Sequence, residues 1–157
     1  MFKFRLFGVT LMAGVLASVA IAQAATGHRV NQTAKLLRLF TSATYPNPGS
    51  KVVNVGTISG NPASGAVIQH VTITGHPTTT TYTLKATATD FYANGTTRTS
   101  FSGVATAQPN GALTVTSNGH YTGGTGAYRG ARGTFSFASA AAPSGPLVAH
   151  LTGAIRY

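Results

Sequence analysis

Residues 81–96 read TYTLKATATDFYANGT, and one rule orders residues 81–89. Tyr82, Leu84, Ala86 and Ala88 share one parity, while Thr81, Thr83, Lys85, Thr87 and Thr89 share the other. A period of two belongs to a β-strand, whose alternate side chains leave opposite faces. The apolar parity predicts a buried face and the Thr/Lys parity a wet one. Asn94-Gly95 follows. That pair favours a type I′ hairpin, in which both central residues take positive φ. A two-residue turn there sets Asp90 opposite Thr99 and Phe91 opposite Arg98. Asp90 and Arg98 then leave opposite faces.

The pattern recurs outward from this hairpin. Leu147, Ala149, Leu151 and Ile155 oppose His150, Thr152 and Arg156. Phe135 and Phe137 alternate with Thr134 and Ser136, and Leu113 and Val115 with Thr114 and Thr116. Val67, Val71 and Ile73 alternate with His70, Thr72 and Thr74. Turn-forming clusters fall between the runs, among them Gly60-Asn61-Pro62, Gly75-His76-Pro77, Pro109-Asn110-Gly111, Gly123-Gly124 and Pro143-Ser144-Gly145. Strands are expected near 34–41, 52–59, 66–74, 79–92, 97–106, 112–117, 130–138 and 146–156. The first fits a helical stripe nearly as well, through Ala34, Leu36, Leu37, Leu39 and Phe40. Regular strands without helices imply an all-β sandwich or an up-and-down barrel. An eight-stranded barrel holds packed side chains or one small ligand.

The composition excludes more than it selects. The 157 residues include 11 Lys+Arg but 1 Asp+Glu, no Cys and no Trp, for a net charge of +10. One carboxylate cannot form the acid pair of a glycosidase or an oxygen cage for calcium. Without cysteine there are no thiol nucleophiles, cysteine metal sites or disulfides. The five histidines, His28, His70, His76, His120 and His150, show no metal-ligand spacing. A metal site is therefore not expected. The basic residues after position 24 are dispersed from Arg29 to Arg156, so nucleic-acid binding is not expected either.

Residues 1–24 read as a secretory signal peptide. Lys3 and Arg5 precede an apolar run over residues 6–21, and Ala22-Gln23-Ala24 offers a cleavage site. The run falls short of the roughly 20 residues a membrane span needs. The expected organisation is a signal peptide over 1–24, a flexible segment over 25–33 and a single barrel domain over 34–157, with a mobile loop at 42–50. The mature protein would be secreted or periplasmic, with no stable membrane insertion after cleavage.

Residues 123–135, GGTGAYRGARGTF, resemble the signature of dirigent proteins: a Gly-Gly-Thr-Gly turn, an aromatic residue, Arg, then Ala-Arg-Gly. Here these are Gly123, Gly124, Thr125 and Gly126, followed by Tyr128, Arg129, Ala131, Arg132 and Gly133. The related allene oxide cyclases have a looser form of the glycine turn. The resemblance implies an eight-stranded antiparallel β-barrel of the dirigent/allene oxide cyclase kind, secreted and trimeric. Such proteins bind phenolic radicals, quinone methides or a fatty-acid epoxide and steer coupling or cyclisation without a cofactor. Plant dirigent cavities use several acidic residues; this chain has Asp90 alone.

Candidate site residues follow from the pattern and the resemblance together. Gly123, Gly124 and Gly126 form a structural turn, since consecutive glycines allow positive φ and close backbone approach. Arg129 and Arg132 stand three apart. Either one of them enters the lumen, or a bulge brings them together, or both are surface charges. Arg132 is the candidate catalytic cation. Arg129, Tyr82 and Tyr128 are candidate ligand contacts, the tyrosines being equally suited to packing. Asp90 is either a lumenal general base or a polar residue at a strand end. His150 is the candidate proton shuttle.

Two functional readings remain. One is a barrel that binds a small apolar or phenolic molecule in its lumen and orients it. The other is a filled barrel acting as a secreted interaction or matrix protein, whose basic surface binds anionic partners. An empty volume of a few hundred Å³ distinguishes them.

Overall fold

The computed structural model describes residues 27–142 and 145–157. The expected signal peptide and the turn at Pro143-Ser144 lie outside the described residues. Eight strands run in sequence: β1 His28–Thr41, β2 Lys51–Asn61, β3 Gly65–Gly75, β4 Thr81–Tyr92, β5 Gly95–Ala107, β6 Leu113–Gly126, β7 Arg132–Ala141 and β8 Leu147–Arg156. Each pairs antiparallel with the next, and β8 pairs with β1, which closes an up-and-down barrel. The expected all-β barrel of eight antiparallel strands is the fold observed.

Parity sorts the side chains as the sequence implied. In β4, Tyr82, Leu84, Ala86, Ala88, Asp90 and Tyr92 point inward, whereas Lys85, Thr87 and Phe91 face solvent. Closure turns eight such inner faces on one another. Ala34, Ile58, Val67, Ala88, Phe101, Phe135, Phe137 and Leu151 fill the barrel's waist. Phe101 stacks on Phe137 with ring centroids 5.5 Å apart and meets Phe135 edge-on at 6.1 Å. Such contacts add to area burial. No disulfide assists them, because the chain has no cysteine.

Four features depart from the sequence expectation. Strand β1 starts at His28, not near 34, and residues 28–33 are part of the barrel wall rather than a flexible segment. Val30, Gln32, Ala34 and Leu36 are its buried parity; Gln32, a polar residue facing inward, hid the alternation. The β4–β5 hairpin pairs Tyr92 with Gly95 and Asp90 with Thr97, two positions from the expected register. Asn94 does not take the positive φ that the expected turn required, while Gly95 does, at 149°. Third, residues 42–50 form a hydrogen-bonded loop, with Gly49 N donating to Ile73 O at 2.8 Å.

The fourth difference concerns the glycines. Gly123, Gly124 and Gly126 do not form a turn; they pair with Arg98, Thr97 and Gly95 along β6. The turn comes later, with Tyr128 N bonded to Thr125 O and Ala131 N to Tyr128 O. Thr122 is an extra residue in β6 between the pairs Thr99–Tyr121 and Arg98–Gly123. Such a bulge sharpens the strand's bend. A Cβ on Gly124 would strike the carbonyl oxygens of Thr96 and Tyr128. The glycine therefore lets the β6–β7 turn fold back over the end of the barrel.

Candidate functional site

The two ends of the barrel differ. At one end the β6–β7 turn carries Tyr128 inward, where it is 3% exposed. Its ring lies 4.9 Å from those of both Tyr92 and Tyr157, and His28 stacks on Tyr157 at 4.8 Å. This aromatic plug shuts the lumen. At the other end lies a cavity of about 680 Å³, to which the β1–β2, β5–β6 and β7–β8 connections contribute Tyr45, Ala112 and Ala142.

The cavity wall is largely apolar, with Leu36, Val52, Ile73, Leu84, Ala105 and Val115 supplied by six strands, β1 to β6. One polar pair breaks it. Asn54 in β2 and Gln69 in β3 are cross-strand partners, and Asn54 Nδ2 donates to Gln69 Oε1 at 2.6 Å. This bond leaves the amide oxygen of Asn54 and the amide hydrogens of Gln69 to address a ligand. The mouth is aromatic and cationic. Tyr82 lies between His76 and Tyr45, at centroid distances of 4.5 and 6.5 Å, and the Arg38 guanidinium sits 5.3 Å from the centre of the Tyr45 ring.

Below the cavity lies a void of about 20 Å³. It holds about one water molecule by volume. Leu36, Gln69, Phe101 and Phe137 border both spaces, and Asp90 and Thr99 border the void alone. Asp90 is 4% exposed, and Thr97 Oγ1 donates to its Oδ2 at 2.8 Å. Burial pushes its pKa up to about 6, against the opposing pull of hydrogen bonds from Thr97 and Tyr92. Burial and the nearby Asp90 charge push Tyr92 and Tyr121 well above the ordinary phenol range. A cluster of one carboxylate and two neutral phenols thus stands between the cavity floor and the plug. The solvent-facing strand-end alternative for Asp90 does not hold.

The remaining sequence candidates separate. Tyr82 lines the cavity mouth. Tyr128 is the plug at the far end, not a cavity contact. His150 is on the outer face, with Nδ1 3.2 Å from Thr33 Oγ1, because its parity is opposite to that of Ala149 and Leu151. Arg129 is exposed in the β6–β7 turn. Arg132 is also exposed, its Nη1 donating to Ala131 O at 2.8 Å. Lumenal roles for His150, Arg129 and Arg132 are therefore corrected: strand parity sends His150 and Arg132 outward, and Arg129 is exposed in the turn between strands. The sequence reading missed Asn54, Gln69, Arg38 and Tyr45. The first two carried a signal, being polar residues at the parity of Val52 and Val67.

No family model matches this chain, and no curated protein matches it. Among solved structures it is similar to pyocyanin demethylase, with a TM-score of 0.51 and 16% identity over 79% of this chain and 99% of that one. At that identity the likeness establishes the barrel fold.

Proposed function

We propose that this chain is an exported, dirigent-like or cyclase-like barrel that binds a small apolar or phenolic molecule in its lumen and orients it. The observation that carries the reading is the cavity of about 680 Å³ at the open end, whose wall is largely apolar apart from the Asn54–Gln69 pair and, at the mouth, Arg38, Tyr45 and Tyr82. Small-molecule sites have this form: a largely apolar wall with a few placed polar groups. A phenolic hydroxyl or carbonyl matches the spare amide groups, and a flat ring matches the Tyr45–Tyr82–His76 stack at the mouth. A neighbour whose name makes it a demethylase of pyocyanin is a precedent for a barrel of this outline acting on a small molecule.

Holding a reactive conformer is the main contribution open to such a site. Asp90 is the one sequence-predicted acid–base group whose position supports that role. Ionised above pH 6, it stands one water-sized void from the cavity floor. The resemblance at Gly123–Gly133 extends the proposal to a secreted or periplasmic homotrimer. The test is native mass spectrometry of the protein exported by its own host, followed by melting curves with phenolic and fatty-acid ligands. A co-purified small molecule is expected, with the trimer read from the same spectrum. A ligand at a hundred times its Kd adds about 2.7 kcal/mol of stability. No co-purified ligand and no stabilisation across both ligand classes would overturn the reading.

A further inference from the structure

Barrel closure gathers arginines that the sequence scatters. Arg98 in β5 pairs with Gly123 in β6, and Arg132 in β7 pairs with Arg156 in β8. All three arginines face solvent on the outer wall near the plugged end. Gly123 leaves a notch between two of them. A Cβ there would lie 3.2 Å from Arg98 Nη2 and 3.7 Å from Arg132 Nη1, so the two guanidinium groups approach each other over the glycine. Arg156 completes the group from the next strand. Directly opposed like charges destabilise a sheet. No acidic side chain offsets them: the chain's one Asp or Glu is Asp90, buried inside the barrel. None of these residues lines the cavity.

We propose that Arg98, Arg132 and Arg156 form a binding site for one tetrahedral oxyanion, a phosphate or phosphate ester, seated over Gly123 on the outer wall. Guanidinium forks converging from adjacent strands give such an anion charge-assisted hydrogen bonds from several directions, which its separate oxygens accept. The Arg132 Nη1 bond to Ala131 O leaves the rest of that fork free. The buried backbone at Gly123 provides a floor without a side chain. The proposal is independent of what the lumen binds.

The test is calorimetric titration of the exported protein with inorganic phosphate at low ionic strength, with and without each arginine. Saturable binding of one phosphate per barrel is expected. Arg132→Gln and Arg98→Gln should each weaken it by about 10-fold or more. Arg132→Lys keeps the charge but loses the fork, and should also weaken binding. Lys85→Gln removes an exposed charge from β4 and should change it less than about 2-fold. Melting curves establish that each variant is folded. A second arm sediments the protein with phosphatidylglycerol vesicles and with neutral phosphatidylcholine vesicles. Arginine-dependent capture by the anionic vesicles alone assigns the oxyanion to a lipid headgroup. Phosphate binding without capture assigns it to a free phosphate or phosphate ester. No saturation by phosphate and no capture overturn the site. So does an equal loss in Lys85→Gln and Arg132→Gln, which would make the effect one of overall charge.

Discussion

Replacing Asp90 by Asn should remove a pH dependence that the barrel builds into its own stability. Asp90 has a pKa of about 6 in the folded chain, against an ordinary value of 3.8. The folded state therefore holds a proton more tightly than the unfolded state. Its contribution is fully present below pH 3.8 and is lost as the pH rises through about 6. At 1.36 kcal/mol per pKa unit, the whole loss is about 3 kcal/mol. Between pH 4 and 8, about 2 to 3 kcal/mol of it is observable. Asn is isosteric, uncharged and still accepts the Thr97 hydrogen bond, so Asp90→Asn should lose this dependence and be the more stable protein at pH 8. Urea unfolding of both proteins across that range provides the measurement. The quantity to plot is the difference between them, because the background change in net charge acts on both alike. The difference should favour wild type increasingly as the pH falls, with the largest change between pH 4 and 6. In melting temperature it amounts to about 10 °C. A difference that stays flat with pH, or that favours wild type more at high pH, would refute the argument that the lumen desolvates Asp90.

Three further outcomes are expected. Asn54→Leu or Gln69→Leu alone should cost about 1 to 3 kcal/mol, because each strands its partner's amide in an apolar wall; the double variant should recover most of that loss in a urea-melt cycle. Tyr128→Ala should cost about 3 kcal/mol by removing the plug. By admitting water it should also bring the Asp90 pKa down toward 3.8, as read by carboxyl NMR titration. Gly124→Ala should destabilise by at least about 2 kcal/mol in thermal melts, since the methyl group collides with backbone oxygens on two sides.

How much of this was legible in the sequence depends on one property, parity. It was unambiguous where small and apolar residues alternate with Thr, as in β4 and β8, and there the inward faces were read correctly. It failed where a polar residue points inward. Gln32 hid the start of β1, whose exposed Leu37, Leu39 and Phe40 also imitate a helical stripe, and Asn54 and Gln69 drew no notice as the polar feature of a wall. Parity also contradicted the choice of His150, which lies between the inward Ala149 and Leu151. The glycines of β6 looked like a turn because close approach and reversal demand the same residue. Which of the two applies depends on the strand opposite, and pairing is absent from a linear pattern. The Arg98–Arg132–Arg156 group was invisible for the same reason. Its members are adjacent only across three ladders.

The ladder between β1 and β8 joins the beginning of the described chain to its end, from His28–Ile155 to Leu36–Leu147. During synthesis from the N-terminus, β1 must wait for the last strand before that flank is satisfied. Until then its unpaired backbone is an invitation to any other extended chain. Contacts so distant in sequence form slowly. Before that closure the sheet is a curled ribbon with two adhesive borders, and a host that makes it in quantity has reason to keep a holdase nearby.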